Sequence, residues 1–229
     1  MLTPEEWSAI FLSLIFAATA VSLSLPWGIG IGWLLAKRRF PGKALVETVV
    51  NLPLVLPPVV TGYLLLVTFG RRGWVGSRLE DWFGLRLVFD WKGAALASAV
   101  MGFPLLVRPI RLAFTAVDDG LVQAARTLGA TRMDAFWSIT MPLARHGVIG
   151  GCILAFARSM GEFGATLMIA GNIPGQTRTI PLQIYTLLDS PGGGDESLRL
   201  VLVAVFVSAG ALLAGEYLER RGRRKLQGE

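Results

Sequence analysis

The sequence predicts an all-α membrane protein, a bundle of helices that crosses a bilayer several times. Charged residues make up only 17% of its 229 residues and hydrophobic residues 53%, whereas about 25% of a soluble domain is charged. Five segments are long and apolar enough to cross a bilayer core roughly 30 Å thick, which takes about 20 helical residues. Clusters of basic residues directly follow apolar segments, as they do on the cytoplasmic side of membrane proteins.

The five predicted spans follow one another in a single transmembrane domain, residues 1–229. They cover residues 10–36, 44–70, 93–117, 147–171 and 198–218. Basic clusters follow the first span at Lys37–Arg39 and the fifth at Arg220–Lys225. The positive-inside rule then predicts a plasma-membrane protein with its N-terminus outside, its C-terminus in the cytoplasm and a cytoplasmic loop at 118–145. Residues 1–8 lack the basic region of a cleaved signal peptide.

The second span is predicted to be broken, because Asn51, Pro53, Pro57 and Pro58 lie within it. Each proline removes a backbone donor and disturbs the preceding turn. Carbonyl groups freed in this way are tolerated in a membrane only where protein or a water-filled cavity surrounds them. We therefore expect this span inside the bundle, either as a static kink or as a moving part of a translocation path.

Charged and small residues within the other spans carry further predictions. Arg158 and Glu162 lie four residues apart in the fourth span, either as part of the path or its gate, or as a mutually satisfied pair that fixes packing. Arg108 and Arg111, near the inner end of the third span, are expected to extend to the membrane interface. The first span carries three glycines that predict close helix contacts. They are Gly28, Gly30 and Gly32.

The 118–145 loop predicts a short helix, a break at Gly129 and a second short helix that ends at Pro142. Apolar residues recur at helical spacing on both helices. They are Leu121, Ala124, Ala125 and Leu128 on the first, and Met133, Phe136, Trp137 and Met141 on the second. The pattern is equally typical of a knob that docks into a groove on a partner and of an amphipathic loop on the membrane surface.

The same loop resembles the EAA loop of permeases from ATP-binding cassette (ABC) importers. The family pattern is E-A-A, three residues, G, nine residues, I, one residue, L-P, and the spacing here is the same. Gln123 stands where the family has glutamate and Met141 where it has leucine. The resemblance implies a coupling helix that docks into a cytoplasmic ATPase subunit. The residues it assigns to this contact are Gln123, Ala124, Ala125, Leu128, Gly129, Ile139 and Pro142.

Further segments are similar to the molybdate permeases of this class. They are Leu52–Val60, Leu154–Thr166 and Asn172–Pro181. The resemblance implies the type I importer fold and a homodimer with its pore at the two-fold interface. It also implies an extracytoplasmic oxyanion-binding protein as partner and molybdate as the translocated ion.

Three alternatives to a molybdate importer stay open at this point. A permease of the same architecture could carry tungstate or sulfate. A secondary transporter driven by an ion gradient would favour internal repeats and paired broken helices, whereas only the second span is clearly broken in the sequence. A membrane scaffold without transport would leave the spacing of the 118–145 loop unexplained.

Several functional classes are not expected from this sequence. It contains no G-x-x-x-x-G-K-[ST] motif, so ATP and Mg²⁺ are expected on a partner subunit and no cofactor on this chain. One histidine, His146, and one cysteine, Cys152, exclude sites that need two such ligands and any intrachain disulfide. We expect no catalytic residues and no metal site. The basic clusters follow apolar spans, which favours a membrane surface over nucleic acid as their partner.

Overall fold

The computed structural model describes residues 2–190 and 193–227, and the regular structure in these ranges is helical. Within the last helix it describes the side chains of residues 194–210, 212, 213 and 217, so the side chains of the Arg220–Lys225 cluster lie outside the described part. The all-α fold class is confirmed.

Eleven α-helices lie within the described ranges. The first six are α1 (Pro4–Lys37), α2 (Lys43–Val55), α3 (Pro58–Phe69), α4 (Trp74–Phe83), α5 (Trp91–Ala116) and α6 (Asp119–Thr127). The others are α7 (Arg132–Ala135), α8 (Met141–Met160), α9 (Gly164–Ala170), α10 (Ile180–Leu188) and α11 (Gly194–Gln227). A π-helical turn, Phe136–Thr140, joins α7 to α8.

Three helical stretches among the described residues are long and apolar enough to cross a membrane. They are Pro4–Lys37, Trp91–Ala116 and Arg132–Met160. Helices α2 and α3 meet the same criterion together, but their axes are bent by 115° at the break between them. The break falls at Leu56 and Pro57, inside the proline-rich stretch. The predicted fifth span, residues 198–218, lies within α11.

Helices α1, α5 and α8 pack against one another at the centre of the fold. Small residues bring them close. A Cβ on Gly28 would lie 2.8 Å from Leu106, and one on Gly32 would lie 2.7 Å from Ile110, so both glycines make the close contacts expected of them. Gly30 does not, because no atom lies within 4 Å of a Cβ built on it.

The start of α1 is fixed by a capping box. The Glu6 N–H donates to Thr3 Oγ1 (3.2 Å), and the Thr3 N–H donates to Glu6 Oε2 (2.6 Å). The buried Glu6 carboxylate also accepts from Arg199 Nη2 of α11 (2.9 Å). A capping residue is thus used a second time, to hold the first and last helices together.

The predicted fourth span, residues 147–171, is not one helix. Helix α8 ends at Met160, Gly161 follows it, and α9 begins only at Gly164. Glu162 lies in this gap and its Oε1 accepts from the Ala165 N–H (2.9 Å), so a carboxylate takes up a backbone donor that helix α9 leaves unpaired. The expectation that only the second span is broken is therefore wrong.

Pro142 does not end the second helix of the 118–145 loop. It is the second residue of α8, and the residue before α8, Thr140, is itself helical (φ −65°, ψ −49°), so the helix does not end there. The π-helical turn before it widens the helix, with the Met141 N–H bonded to the Phe136 carbonyl. This wider turn makes room for the proline ring, so α7 runs on into α8.

Candidate functional site

The 118–145 loop folds as two capped helical segments with a left-handed residue between them. Asp118 caps α6 by accepting from the Gly120 N–H (2.8 Å). Gly129 has φ +98°, a conformation that suits glycine, and it turns the chain after α6. Thr131 and Asp134 then form a capping box that starts α7. The predicted break at Gly129 is present for this backbone reason.

Large apolar side chains of this loop face outward. Helix α6 has no buried residue, and Leu128 is 89% exposed. Leu121, Met133 and Trp137 are each at least half exposed. Of the residues predicted to contact an ATPase, Ala125 and Ile139 are partly buried and the rest are exposed. The exposed ones are Gln123, Ala124, Leu128, Gly129 and Pro142. A patch of this kind is typical of a protein-interaction site.

Half of the second predicted apolar face points inward instead. The Phe136 ring lies 6.3 Å from the Trp33 ring and 6.1 Å from the Phe114 ring, measured between centroids. Met141 packs against the same core. The expectation of one continuous bulky face was wrong, because the π-helical turn breaks the regular helical spacing between Met133 and Met141.

The loop is tied to the end of α1 by Lys37. Its Nζ donates to the Val117 carbonyl and to Asp119 Oδ1, each at 2.6 Å. The Lys37 side chain is only 15% exposed, whereas the Asp119 side chain is 70% exposed, so the lysine is sheltered but its ion pair reaches solvent. The start of α6 therefore moves with the end of α1. Sequence reasoning missed this contact, since it joins residues 82 positions apart.

The two helix breaks meet. A Cβ on Gly164, at the start of α9, would lie 3.1 Å from Pro58 Cβ at the start of α3. One turn further on, a Cβ on Gly62 would lie 2.7 Å from the Ala165 Cα. Small residues thus let the two broken spans cross in direct backbone contact, and the crossing lies beside the gap that holds Glu162.

Glu162 and Arg158 form an ion pair at this crossing. Arg158 Nη1 lies 2.8 Å from Glu162 Oε2, the carboxylate is buried, and the arginine side chain is 27% exposed. Of the predicted path residues, the structure brings Pro58, Arg158 and Glu162 to one region. The two charges lie within ion-pair distance across a helix end rather than on one helical face. Glu162 Oε2 has no hydrogen-bond partner among the described residues, so both sequence-based interpretations of the pair stay predictions.

Asn51 and Pro53 lie elsewhere. Asn51 Oδ1 accepts from Arg108 Nε of α5 (2.8 Å), and Glu47 pairs with Arg111 (3.0 Å). Two polar contacts therefore hold α2 against α5 and give both arginines partners within the protein. Their extension to the membrane interface stays a prediction. The spacing of Glu47 and Asn51, four residues apart on one face of an apolar helix, was the signal that could have indicated this contact. Pro53 lines an apolar groove between α1, α2 and α5.

The sequence matches the family described as binding-protein-dependent transport system inner membrane component over residues 28–223. It is 55% identical to the molybdenum transport system permease protein ModB of Escherichia coli K12, with 98% of each chain covered. It is 51% identical to ModB of Haemophilus influenzae, with 96% of each covered. The sulfate transport system permease protein CysW of Synechocystis is 34% identical, with 93% of this chain and 77% of the relative covered.

Solved structures share the fold at low sequence identity. The MetNI methionine ABC transporter in an inward-facing form superposes with a TM-score of 0.72 at 17% identity, covering 97% of this chain and 99% of that one. A bacterial alginate ABC transporter in complex with its periplasmic protein gives 0.74 at 18% identity, covering 96% and 80%. At such identity the likeness shows the fold alone.

Proposed function

Because the chain belongs to the family of inner membrane components of binding-protein-dependent transport systems, we propose that it is the membrane-spanning permease subunit of an ATP-driven importer of molybdate. The observation that carries this function is the 55% identity to a molybdenum permease over 98% of both chains. Identity to the sulfate permease CysW is lower, at 34%. Molybdate is therefore the substrate, and tungstate, an ion of the same charge and shape, is the first alternative.

The 118–145 loop is the contact with a cytoplasmic ATPase subunit, which binds ATP and Mg²⁺. What supports this role is the combination of exposed apolar side chains with firm attachment. Leu128 and Trp137 are available to a groove on a partner, while Lys37 holds the loop to α1 and the π-helical turn joins it to α8. A displacement of the loop is thus passed to two spans. With the loop inside, the N-terminus lies outside and the C-terminus in the cytoplasm.

The permease works as a homodimer whose pore lies at the two-fold interface. Support comes from the broken second span, which a single chain leaves open. Val55 is 81% exposed and Tyr63 54% exposed, on opposite sides of the 115° bend. Irregular backbone in a membrane needs protein or a water-filled cavity around it. A second copy facing this span supplies both, protein at the contact and a cavity between the copies.

Transport then follows from alternating access. ATP binding closes the ATPase pair, the two 118–145 loops follow, and the permease opens to the outside. An extracytoplasmic binding protein releases its oxyanion into the cavity, and ATP hydrolysis returns the permease to its inward-facing form. The two broken spans cross beside the Arg158–Glu162 pair. At this crossing the motion opens or closes the translocation path of the oxyanion.

The test compares wild type with Leu128→Asp in cells that lack their own molybdate permease. Wild type should retain the cognate ATPase on purification and restore uptake of radiolabelled molybdate, with tungstate competing more strongly than sulfate. Leu128→Asp should lose both, because it places a charge in the docking patch without touching the core. Leu188→Asp, an equally polar change at an exposed leucine on α10, should keep ATPase retention. ATPase retention by Leu128→Asp would contradict the docking role, and uptake that sulfate abolishes first would contradict the substrate.

A further inference from the structure

A groove of about 520 Å³ lies between the end of α1 and the 118–145 loop. Ile29, Gly30 and Trp33 of α1 form one apolar wall, and Met133 and Phe136 of the loop form another. At Gly30 the groove reaches the backbone of α1, because a Cβ built on this glycine would have no neighbouring atom within 4 Å. It is separate from the crossing of the broken spans and from the outward-facing side chain of Leu128.

The mouth of the groove is strongly basic. Four basic residues and one acidic residue line it, which gives these side chains a net charge of +3. Asp119 is already paired with Lys37. The remaining charges are Arg38, Arg126 and Arg132, all exposed, and the described side chains provide an ion-pair partner for none of them. Arg38 stacks over the Trp33 ring at 5.5 Å, a contact that leaves its N–H groups available.

We propose that this groove binds an anionic phospholipid, with the phosphate among Arg38, Arg126 and Arg132 and an acyl chain along α1 over Gly30. Clusters of basic residues between helices at the cytoplasmic membrane face are where anionic headgroups bind. Trp33 lies at the boundary between the apolar and basic parts of the groove, the depth that tryptophan prefers in membranes. The proposal requires a membrane-embedded chain and does not depend on the transported ion.

The depth of the groove favours a lipid over an acidic protein surface. Gly30 lies seven residues before Lys37 on one helix, about 10 Å deeper at 1.5 Å per residue. An acidic patch on a water-soluble partner could neutralise the three arginines, but it would leave the apolar surface at Ile29 and Gly30 uncovered. An acyl chain attached to the phosphate is long enough to reach this apolar surface and cover it.

A lipid in this position contacts α1, α6 and α7 at once. It would stabilise the same arrangement of α1 and the loop that the Lys37–Asp119 pair stabilises. The composition of the inner leaflet would then influence how firmly the 118–145 loop is held. This is a route by which the bilayer itself adjusts the permease.

The experiment measures lipid retention by the purified permease–ATPase complex, using native mass spectrometry in a neutral detergent. The probes are phosphatidylglycerol and phosphatidylcholine with identical acyl chains, and inorganic phosphate as a competitor. The test variants are Arg126→Gln combined with Arg132→Gln, and Gly30→Leu, which places a side chain in the groove from a position where a Cβ meets no atom within 4 Å. Their matched controls are Arg39→Gln combined with Arg145→Gln, exposed charges that do not line the groove, and Ser22→Leu, an exposed position of α1 outside it.

Wild type and both controls should retain phosphatidylglycerol over phosphatidylcholine, with no competition from inorganic phosphate. Loss of two arginines should weaken phosphatidylglycerol binding roughly thirtyfold, because the headgroup loses two charge contacts. Gly30→Leu should also weaken phosphatidylglycerol binding, because the leucine side chain occupies the space of the acyl chain. Equal retention of the two lipids, or full phosphatidylglycerol retention by both test variants, would overturn the proposal. So would loss of the ATPase from the arginine variant with lipid retention unchanged, since the basic mouth would then belong to the ATPase contact.

Discussion

Arg158 and Glu162 form an ion pair across the end of a helix, with 2.8 Å between Nη1 and Oε2. The same carboxylate, through Oε1, accepts from the Ala165 N–H at the start of the next helix. One buried side chain therefore satisfies a charge on α8 and a backbone donor on α9. The geometry of the break depends on both contacts.

Substitutions in this pair should have unequal effects. Glu162→Gln keeps an acceptor for the Ala165 N–H and leaves a partly exposed arginine, so we expect a loss of stability of about 1 kcal/mol. Arg158→Gln leaves a buried carboxylate without its counter-charge and should cost more, about 3 kcal/mol. Thermal unfolding of the purified permease in detergent measures the difference. Glu196→Gln, a half-exposed carboxylate on α11, is the control, and equal losses for the first two variants would refute the asymmetry.

Gly62→Ala should destabilise the permease although alanine favours helices. The added Cβ would lie 2.7 Å from the Ala165 Cα and 2.8 Å from its carbonyl oxygen, so α3 and α9 must separate at the crossing. We expect a loss of about 1–3 kcal/mol and reduced uptake. Gly30→Ala meets nothing within 4 Å and should be neutral or slightly stabilising. If both variants melt at the same temperature, the backbone contact at the crossing is not required.

Lys37→Met should separate ATPase binding from transport. The change removes the bonds to Asp119 and Val117 but leaves Leu128 and Trp137 exposed as before. We therefore expect the variant to retain the ATPase on purification and to lose most of its molybdate uptake. Lys92→Met, which changes a lysine at the start of α5 far from the loop, should transport normally. Loss of the ATPase from Lys37→Met would instead place this lysine in the docking contact.

Gly129→Asp should abolish ATPase retention, because it adds bulk, charge and backbone strain at the turn between α6 and α7. Strain alone is controlled by Gly42→Asp, since Gly42 also has positive φ (+85°), also has open space around it and lies in another loop. Co-purification of the ATPase with each variant is the measurement. Loss of retention by both variants would mean that destabilisation, rather than the docking surface, explains the effect.

Sequence patterns predicted the features of this protein that depend on short-range order. The spacing from Gln123 to Pro142 predicted the loop and its turn at Gly129, and the prolines near Pro57 predicted the break in the second span. The gap after Met160 was missed, since glycines such as Gly161 and Gly164 in an apolar segment are equally compatible with an unbroken helix. Pro142 was misjudged because proline both ends helices and starts them, and only the preceding π-helical turn decides between these roles.

Features built from distant parts of the chain were out of reach of such patterns. The groove at Gly30 requires Arg126 and Arg132, about a hundred residues away, to fold back against α1. The crossing at Gly62 requires the small residues of two spans to meet in register. Periodicity identifies which face of a helix is apolar, but it does not indicate which other helix of the protein packs against that face.

The helical path from Arg132 to Met160 has a mechanical consequence. Its 29 residues contain a π-helical turn but no loop, so they form one continuous helical stretch of roughly 43 Å along its path. Movement of Trp137 by a docked partner would be transmitted toward the opposite end with no intervening loop. The helical stretch ends just before Gly161, next to the Arg158–Glu162 pair. If the 118–145 loop has the coupling role proposed above, its movement would therefore act on the gap between α8 and α9, far from where a partner contacts the chain.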